Sequence, residues 1–383
     1  MIKTDEVFGS CDGECIRGVF GVRSKGDGEG SWRDEEFMMG RQFMNSDVTD
    51  IYKLDAVKCR PHVVILGAGA SCAAIPNGDR CGRKISAMRG FLKQLKLECL
   101  LDGIELQTTS HNIEDIYSEL AGRGEYADVV KKIETAIVEV MSSFEIPLTP
   151  TVYDYLLLSL REKDLVASFN WDPLLLQAYT RVSSITKRLP QLCFLHGNVA
   201  SGHSTCEHKR VSFRDSVCPV CFKPYVPVPL LYPVKHKDYI SDWWVKGQWD
   251  IVVRYMQEAG ALTIFGYSAP KSDVEAIKLL KQGWGRPEEK AIQQTEFIDL
   301  RGTGELEETW ADFIFNGHCE GHKSFFNSKL ALYPRRTVEA DIERFCCAKF
   351  ISHKNSAFKE EMSFMQIQEH LNPLLRNESK HGR

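Results

Sequence analysis

Residues 63–71, V-V-I-L-G-A-G-A-S, constrain the fold more than any other stretch of the chain. Four apolar residues running straight into a glycine turn read as a parallel strand covered on both faces, because such strands lack polar alternation. The glycines place no Cβ in front of the backbone N–H groups. A turn of this kind, opening a helix, is how α/β proteins bring amides up to a dinucleotide pyrophosphate. The same string also serves as a tight turn and nothing more, so the other strand ends decide the matter.

The chain has 383 residues, of which 43% are hydrophobic, enough to bury a full core in one large domain with additions or in two domains. Lys and Arg number 48 against 52 Asp and Glu, a net charge of −4, so the chain has no global attraction for nucleic acid and direct nucleic-acid binding is not expected. The N-terminus carries Lys3, Asp5 and Glu6 and no apolar h-region, and no apolar run approaches the roughly 18 residues of a membrane span. A soluble cytoplasmic protein is therefore expected, its 13 cysteines reduced or metal-bound rather than paired.

Residues 1–58, rich in Gly, Asp, Glu and Ser, read as a flexible N-terminal arm, with a short ordered piece near Phe37–Phe43. A main domain is expected over 59–302. Within 85–150 the apolar positions recur at helical spacing, at Ile113, Ile116, Tyr117 and Leu120 and again from Val129 to Val140, which marks a helical insertion. Short apolar strands are expected at 63–66, 165–169, 192–195, 261–265 and 296–300, and residues 303–383 as a C-terminal helical appendage. The fold class is α/β, a Rossmann-like doubly wound parallel sheet. Each strand runs into a polar or glycine-containing motif: Asn170-Trp171-Asp172, His196-Gly197, Gly266-Tyr267-Ser268 and Asp299 to Gly302. Ligands of open parallel sheets bind outside the carboxyl ends of the strands, so these endings describe one cleft.

The order of these motifs resembles the sirtuin superfamily over residues 60–302. G-A-G-A-S with Ile75-Pro76 is similar to its first nucleotide-binding motif, although Asn77-Gly78-Asp79-Arg80 stands where the family has Phe-Arg. S-F-N-W-D at 168–172 resembles its Asn-x-Asp motif, His196-Gly197 its His-Gly, and Gly266-Tyr267-Ser268 its Gly-x-Ser. His111 to Asp115, and Asp273 after the Gly-Tyr-Ser, look more like the divergent bacterial sirtuin-like proteins that cleave NAD+, commonly as antiphage effectors.

The resemblance implies NAD+ as substrate and a role for each strand end. Gly67, Ala68, Gly69 and Ser71 would cradle the pyrophosphate, while Gly266, Ser268 and Asp299 would contact the adenosine half. Cleavage of the nicotinamide–ribose bond develops oxocarbenium character, so Asn170 is the choice to hold a water and Asp172 to oppose positive charge. His196 would be the general base. Against these stand ordinary structural readings: an Asx turn or helix cap at Asn170 and Asp172, an ion pair with Arg301 at Asp299, a helix cap at Asp273, and core packing for Trp243, Trp244 and Trp249.

Cys218-Pro219-Val220-Cys221 has the spacing of a zinc knuckle, and Cys206 with His208 or His203 lies upstream. A small zinc-ribbon module over 200–230 agrees with the resemblance, as a structural Zn2+ site. The alternative is a decayed ribbon with buried thiols. The resemblance further implies control by assembly: a homo-oligomer, or a HerA-like ATPase or short Argonaute as partner. An NAD-dependent protein deacylase and a non-catalytic nucleotide sensor are the competing functions.

Overall fold

The computed structural model describes residues 58–85, 97–110, 112–207, 209–232, 234, 237–269, 273–290, 293–315, 318–347, 349 and 351–381. The expected arm, but for Lys58, lies outside the described residues, as do His111 and His208.

Six strands form the main sheet: β1 (His62–Leu66), β2 (Leu165–Ser168), β3 (Gln191–Phe194), β7 (Ala261–Phe265), β8 (Gln294–Ile298) and β9 (Cys319–His322). Their order is β3-β2-β1-β7-β8-β9, and every pairing is parallel. Counting main-sheet strands alone, this is the 3-2-1-4-5-6 order of the doubly wound nucleotide fold. The chain turns back at β1, so the switch point falls between β1 and β7.

β1 is apolar throughout its last four residues because both faces are covered. Val63, Val64, Ile65 and Leu66 are all buried, each contributing about 2 kcal/mol of transfer free energy. The helices fall into two sets. Ala68–Ala74 (α1), Val152–Ser159 (α4) and Leu174–Val182 (α5) pack together, and Trp243–Glu258 (α6) packs on Val274–Trp284 (α7). Right-handed crossovers from β1 outward in both directions put these sets on opposite faces. Trp244 and Trp249 are buried on α6, as their core reading requires.

The insertion supplies Ile113–Gly122 (α2) and Ala127–Ser142 (α3). The apolar stripe expected on α2, Ile113, Ile116, Tyr117 and Leu120, is buried, and of the one expected on α3, Ile133 and Ile137 are buried while Val129, Val130 and Val140 are half-buried. A second, three-stranded sheet, β4 (Ser201–His203), β5 (Val211–Phe213) and β6 (Val226–Pro227), occupies the 200–230 module.

One strand was not expected. β9 lies past residue 302, in a region that reads as helical. Its sequence Cys-Glu-Gly-His has no apolar run, because it is an edge strand whose Glu320 and His322 meet polar partners. The sheet thus extends beyond the 302 boundary. After Thr303–Thr309 (α8), the C-terminal region continues through Lys329–Leu332 (α9), Thr337–Cys347 (α10) and Phe364–His381 (α11). It is keyed to the sheet by polar groups. Thr263 Oγ1 donates to Glu296 Oε2 at 3.1 Å, so it accepts from His62 Nε2 at 2.8 Å, and His62 Nδ1 in turn accepts from Thr337 Oγ1 at 2.8 Å. No helix among the described residues is long and apolar enough to cross a membrane.

Candidate active site

Register aligns the strand exits. Leu66 pairs with Ser168 and Phe265, Ser168 with Phe194, and Phe265 with Ile298. Gly67, Asn170, His196, Gly266 and Asp299 therefore follow from one row at the carboxyl edge of the sheet, around the switch point.

The glycine turn is a backbone-to-backbone joint. Gly67 N donates to Phe265 O and Gly69 N to Gly266 O, both at 3.0 Å. A Cβ on Gly67 would stand 2.5 Å from Gly266 O, one on Gly69 2.8 Å from Gly266 Cα, and one on Gly266 2.4 Å from Ala70 N. Gly266 also has φ +60°, in the left-handed region. These three glycines are thus accounted for by the contact between the first turn and the end of β7. The expected cradle is correspondingly narrower. Two of its amides are already engaged, while Ala68 N–H has no acceptor among the described residues.

Ser71, expected to donate to a phosphate, is instead a fully used joint. Its Oγ donates to Asp172 Oδ2 at 2.6 Å, so Tyr153 Oη must donate to it at 2.8 Å, and Asn170 Nδ2 donates to it at 2.9 Å. One hydrogen and two lone pairs are then committed. Asp172 accepts from Leu174 N at 3.1 Å as well, capping the start of α5, and burial holds its carboxyl above the usual carboxylate range despite the Ser71 and Leu174 bonds. Asp172 anchors the network rather than facing open cleft.

Asn170 is half-buried, and its Nδ2 also reaches Gly67 O at 2.8 Å and Tyr153 Oη at 3.2 Å. With the nitrogen turned inward, Oδ1 makes no hydrogen bond among the described residues and is the group left to orient a ligand or water. Tyr153 and Asn198 were missed by sequence reading. Asn198 donates to Asp172 O at 2.6 Å and accepts from Ala200 N at 3.0 Å. Its place directly after His-Gly was the available signal.

His196 leaves β3 into a buried position. Gly197, at φ +81°, allows the chain to turn where a Cβ would lie 2.2 Å from Pro229 O. The imidazole Nε2 is 2.9 Å from Tyr239 Oη, and Phe169, next to Asn170, meets its ring edge-on at 4.7 Å. Burial pushes the His196 pKa down to about 3; the Asp273 carboxylate opposes this and the Lys237 ammonium adds to it. The uncharged ring keeps a lone pair to accept a proton, but the burial that keeps it uncharged also weakens it as a base, since an effective general base has a pKa near the working pH. Asp273 Oδ1 is 4.0 Å from Nε2 and pairs with Lys237 Nζ, and Asp273 Oδ2 accepts from Tyr267 Oη at 2.8 Å. Lys237 and Tyr239 carry no local motif and sequence reading did not single them out, while Tyr267 is the middle residue of the Gly-Tyr-Ser string, to which no role was assigned.

The adenosine-side residues are less engaged with the cleft. Ser268 is exposed. Asp299 forms the ion pair with Arg301, at 2.9 and 3.1 Å, and although burial would raise its carboxyl, Arg301 holds it below the usual range. The ion-pair alternative accounts for both oxygens of Asp299. A cavity of about 950 Å3 lies elsewhere, between the Ile75–Arg80 loop, the Pro147–Val152 segment and Glu360–Phe364.

The sulfurs of Cys206, Cys218 and Cys221 all lie within 4.8 Å of one another, in the small three-stranded module. Two thiolates about 2.3 Å from one tetrahedral zinc stand about 3.8 Å apart, and Cys206 Sγ to Cys218 Sγ is 3.8 Å. The three cysteines therefore fit zinc. His203 is not part of the cluster: its Nδ1 faces Ser204 O at 3.1 Å and its ring meets Trp243. His208, the expected fourth ligand, lies outside the described residues.

No protein-family model matches the sequence, and no curated protein matches it. Solved structures do show similarity. One described as a Sir2 homolog–NAD complex has 13% identity and a TM-score of 0.35, over 79% of this chain and 96% of that one. Another, described as a structural basis for the mechanism and regulation of Sir2 enzymes, has 15% identity and a TM-score of 0.35, over 76% and 97%. A third, Sir2 bound to acetylated peptide, has 14% identity and a TM-score of 0.34, over 76% and 94%. Scores of this size carry no assignment, and the fold class rests on the strand order and register of the chain itself.

Proposed function

We propose that this chain is a sirtuin-like NAD+ glycohydrolase, releasing nicotinamide and ADP-ribose. The observation that carries the reading is the register that brings Asn170, whose Oδ1 makes no hydrogen bond among the described residues, and the buried His196 to the same carboxyl edge of a 3-2-1-4-5-6 sheet, with Phe169 between them against the imidazole. Asn170 Oδ1 accepts from a water and aims it at the anomeric carbon as the glycosidic bond lengthens. His196 Nε2 takes a proton from that water or from a ribose hydroxyl. The Ser71–Tyr153–Asp172 network fixes Asn170, so the water is oriented without reorganisation at the moment of bond cleavage. Cys206, Cys218 and Cys221 would hold zinc as a structural cross-link distant from this chemistry. A defence effector that depletes NAD+, kept inactive until an oligomer or partner forms, is the biological setting this activity suits.

The test is nicotinamide release from NAD+ with no acylated peptide present. Equal yields of nicotinamide and ADP-ribose are expected, and His196→Ala and Asn170→Ala should each abolish them while leaving the fold intact. Strict dependence on an acylated peptide would replace hydrolysis by deacylation; tight NAD+ binding without turnover would make the chain a sensor.

A further inference from the structure

Asp273 stands at the N-cap position of α7, yet its side chain makes no cap hydrogen bond. A short carboxylate at that position ordinarily accepts from the first-turn amides, worth about 1 kcal/mol. Here both oxygens are turned to buried side chains instead, Oδ1 to Lys237 Nζ and Oδ2 to Tyr267 Oη. Asp273 and Lys237 are both buried, at 3% and 7% exposure. A buried ion pair is a poor source of stability, since desolvation consumes most of its Coulomb gain. Forgoing a cap to hold such a pair is hard to explain by folding alone. Its location is informative: Oδ1 is 4.0 Å from His196 Nε2, the nitrogen that also meets Tyr239 Oη.

We propose that Asp273 is a positioning residue for the reaction at His196, its carboxylate stabilising the imidazolium that forms there while Lys237 and Tyr267 hold it in place. This rests on the NAD+ glycohydrolase reading and extends it. In the step concerned, the O–H bond of water or a ribose hydroxyl breaks, the electron pair stays on oxygen, and an N–H bond forms at Nε2. The proton is later released to solvent, as hydrolysis of NAD+ requires. Among the described residues, the charged and titratable groups around this nitrogen are Tyr239, Asp273 and Lys237, with Glu114 of α2 in the field of the last two. Asp273 is the one that favours the charged ring; burial and Lys237 oppose it. Without the carboxylate, a proton on His196 would face an unpaired ammonium in a desolvated site.

The test compares kcat and KM for nicotinamide release in the wild type, His196→Ala, Asp273→Asn, Lys237→Met and the Lys237→Met/Asp273→Asn double variant, with folding checked by circular dichroism. Asp273→Asn is expected to lower kcat by about 100-fold, the scale of a lost proton-transfer contribution, with KM changed less than about threefold. Lys237→Met should retain more activity than the double variant, and the double variant more than Asp273→Asn, because removing the ammonium relieves the ring. A purely structural pair would instead put both single variants, each left with an unpaired buried charge, below the double variant. Wild-type kcat in Asp273→Asn, a loss confined to KM, or Lys237→Met falling below the double variant would overturn the role of Asp273. If Asp273→Asn does not fold, the ordering of Lys237→Met above the double variant, which carries no buried unpaired charge, decides. Wild-type activity abolished by His196→Ala keeps the parent reading standing when Asp273 alone fails; a wild type silent under every activating condition removes both.

Discussion

The hydroxyl of Tyr239 lies 2.9 Å from Nε2 of His196, on the nitrogen that the proposed chemistry needs. A substrate hydroxyl or water must therefore compete with Tyr239 for that site. Net competition from one neutral hydrogen bond is about 1 kcal/mol. Tyr239→Phe is predicted to lower KM for NAD+ by about fivefold, the equivalent of that energy, with kcat little changed. Steady-state kinetics of nicotinamide release measure it, and an unchanged or raised KM would show that Tyr239 does not compete.

Ser71→Ala removes the only hydroxyl that both donates to Asp172 and accepts from Tyr153 and Asn170. It leaves a buried carboxylate oxygen short of a donor. A loss of about 2 kcal/mol in unfolding free energy is expected, read as a lower urea midpoint at constant m-value. Nicotinamide release should fall with it, because Asn170 loses one of its fixed acceptors.

Two glycine substitutions should differ sharply. Gly266→Ala would drive a Cβ to 2.4 Å from Ala70 N at φ +60°, whereas a Cβ on Gly302 meets nothing within 4 Å. The first is predicted to cost more than about 3 kcal/mol and the second less than about 0.5 kcal/mol. Denaturation midpoints of the two variants test the joint directly.

Burial depresses two histidines, His62 to about 4, against the pull of Asp164 and Glu296, and His196 to about 3. Because the folded pKa lies below the unfolded value near 6.5, the unfolded chain takes up protons first as pH falls. Stability is then complete above about pH 6.5 and is lost progressively as pH drops through 4 and 3. At pH 5 each histidine should cost about 2 kcal/mol relative to pH 7.5. Urea midpoints across this range should fall more steeply in the wild type than in His62→Gln.

The thiol cluster predicts about one zinc per chain by elemental analysis of protein purified without chelator. Cys218→Ser should lower that content and the melting temperature together. If the zinc is only structural, residual nicotinamide release per folded molecule should be unchanged.

Much of this was legible in sequence where side-chain chemistry and chain order coincide. β1 and its turn, the expected cores of β2, β3 and β7, and the buried stripes of α2 and α3 all announced themselves by period or by unbroken apolarity. β9 did not, since an edge strand built of Cys-Glu-Gly-His owes its conformation to β8 beside it. The site was half readable. Asn170, Asp172 and His196 sit where strand ends put them, but Lys237 and Tyr239 arrive from the connection into α6, 41 and 43 residues past the histidine. Only the folded chain brings them to the ring. Asp273 could be read in sequence as a cap; nothing local reveals that its carboxylate points the other way.

The contact of Gly67 and Gly69 with Gly266 makes the floor of the cleft a joint with no moving parts. Having no side chains, it has no rotamers to exchange and no gap to close, so a ligand arriving there meets a surface already in its final shape. Adaptation to substrate falls to the side chains from the connection between β6 and α6, which lie over His196. Under the proposed reaction, a compound fitted to the floor would compete with the nucleotide without any rearrangement of the chain, whereas one that engages Lys237 and Tyr239 would have to shift them first.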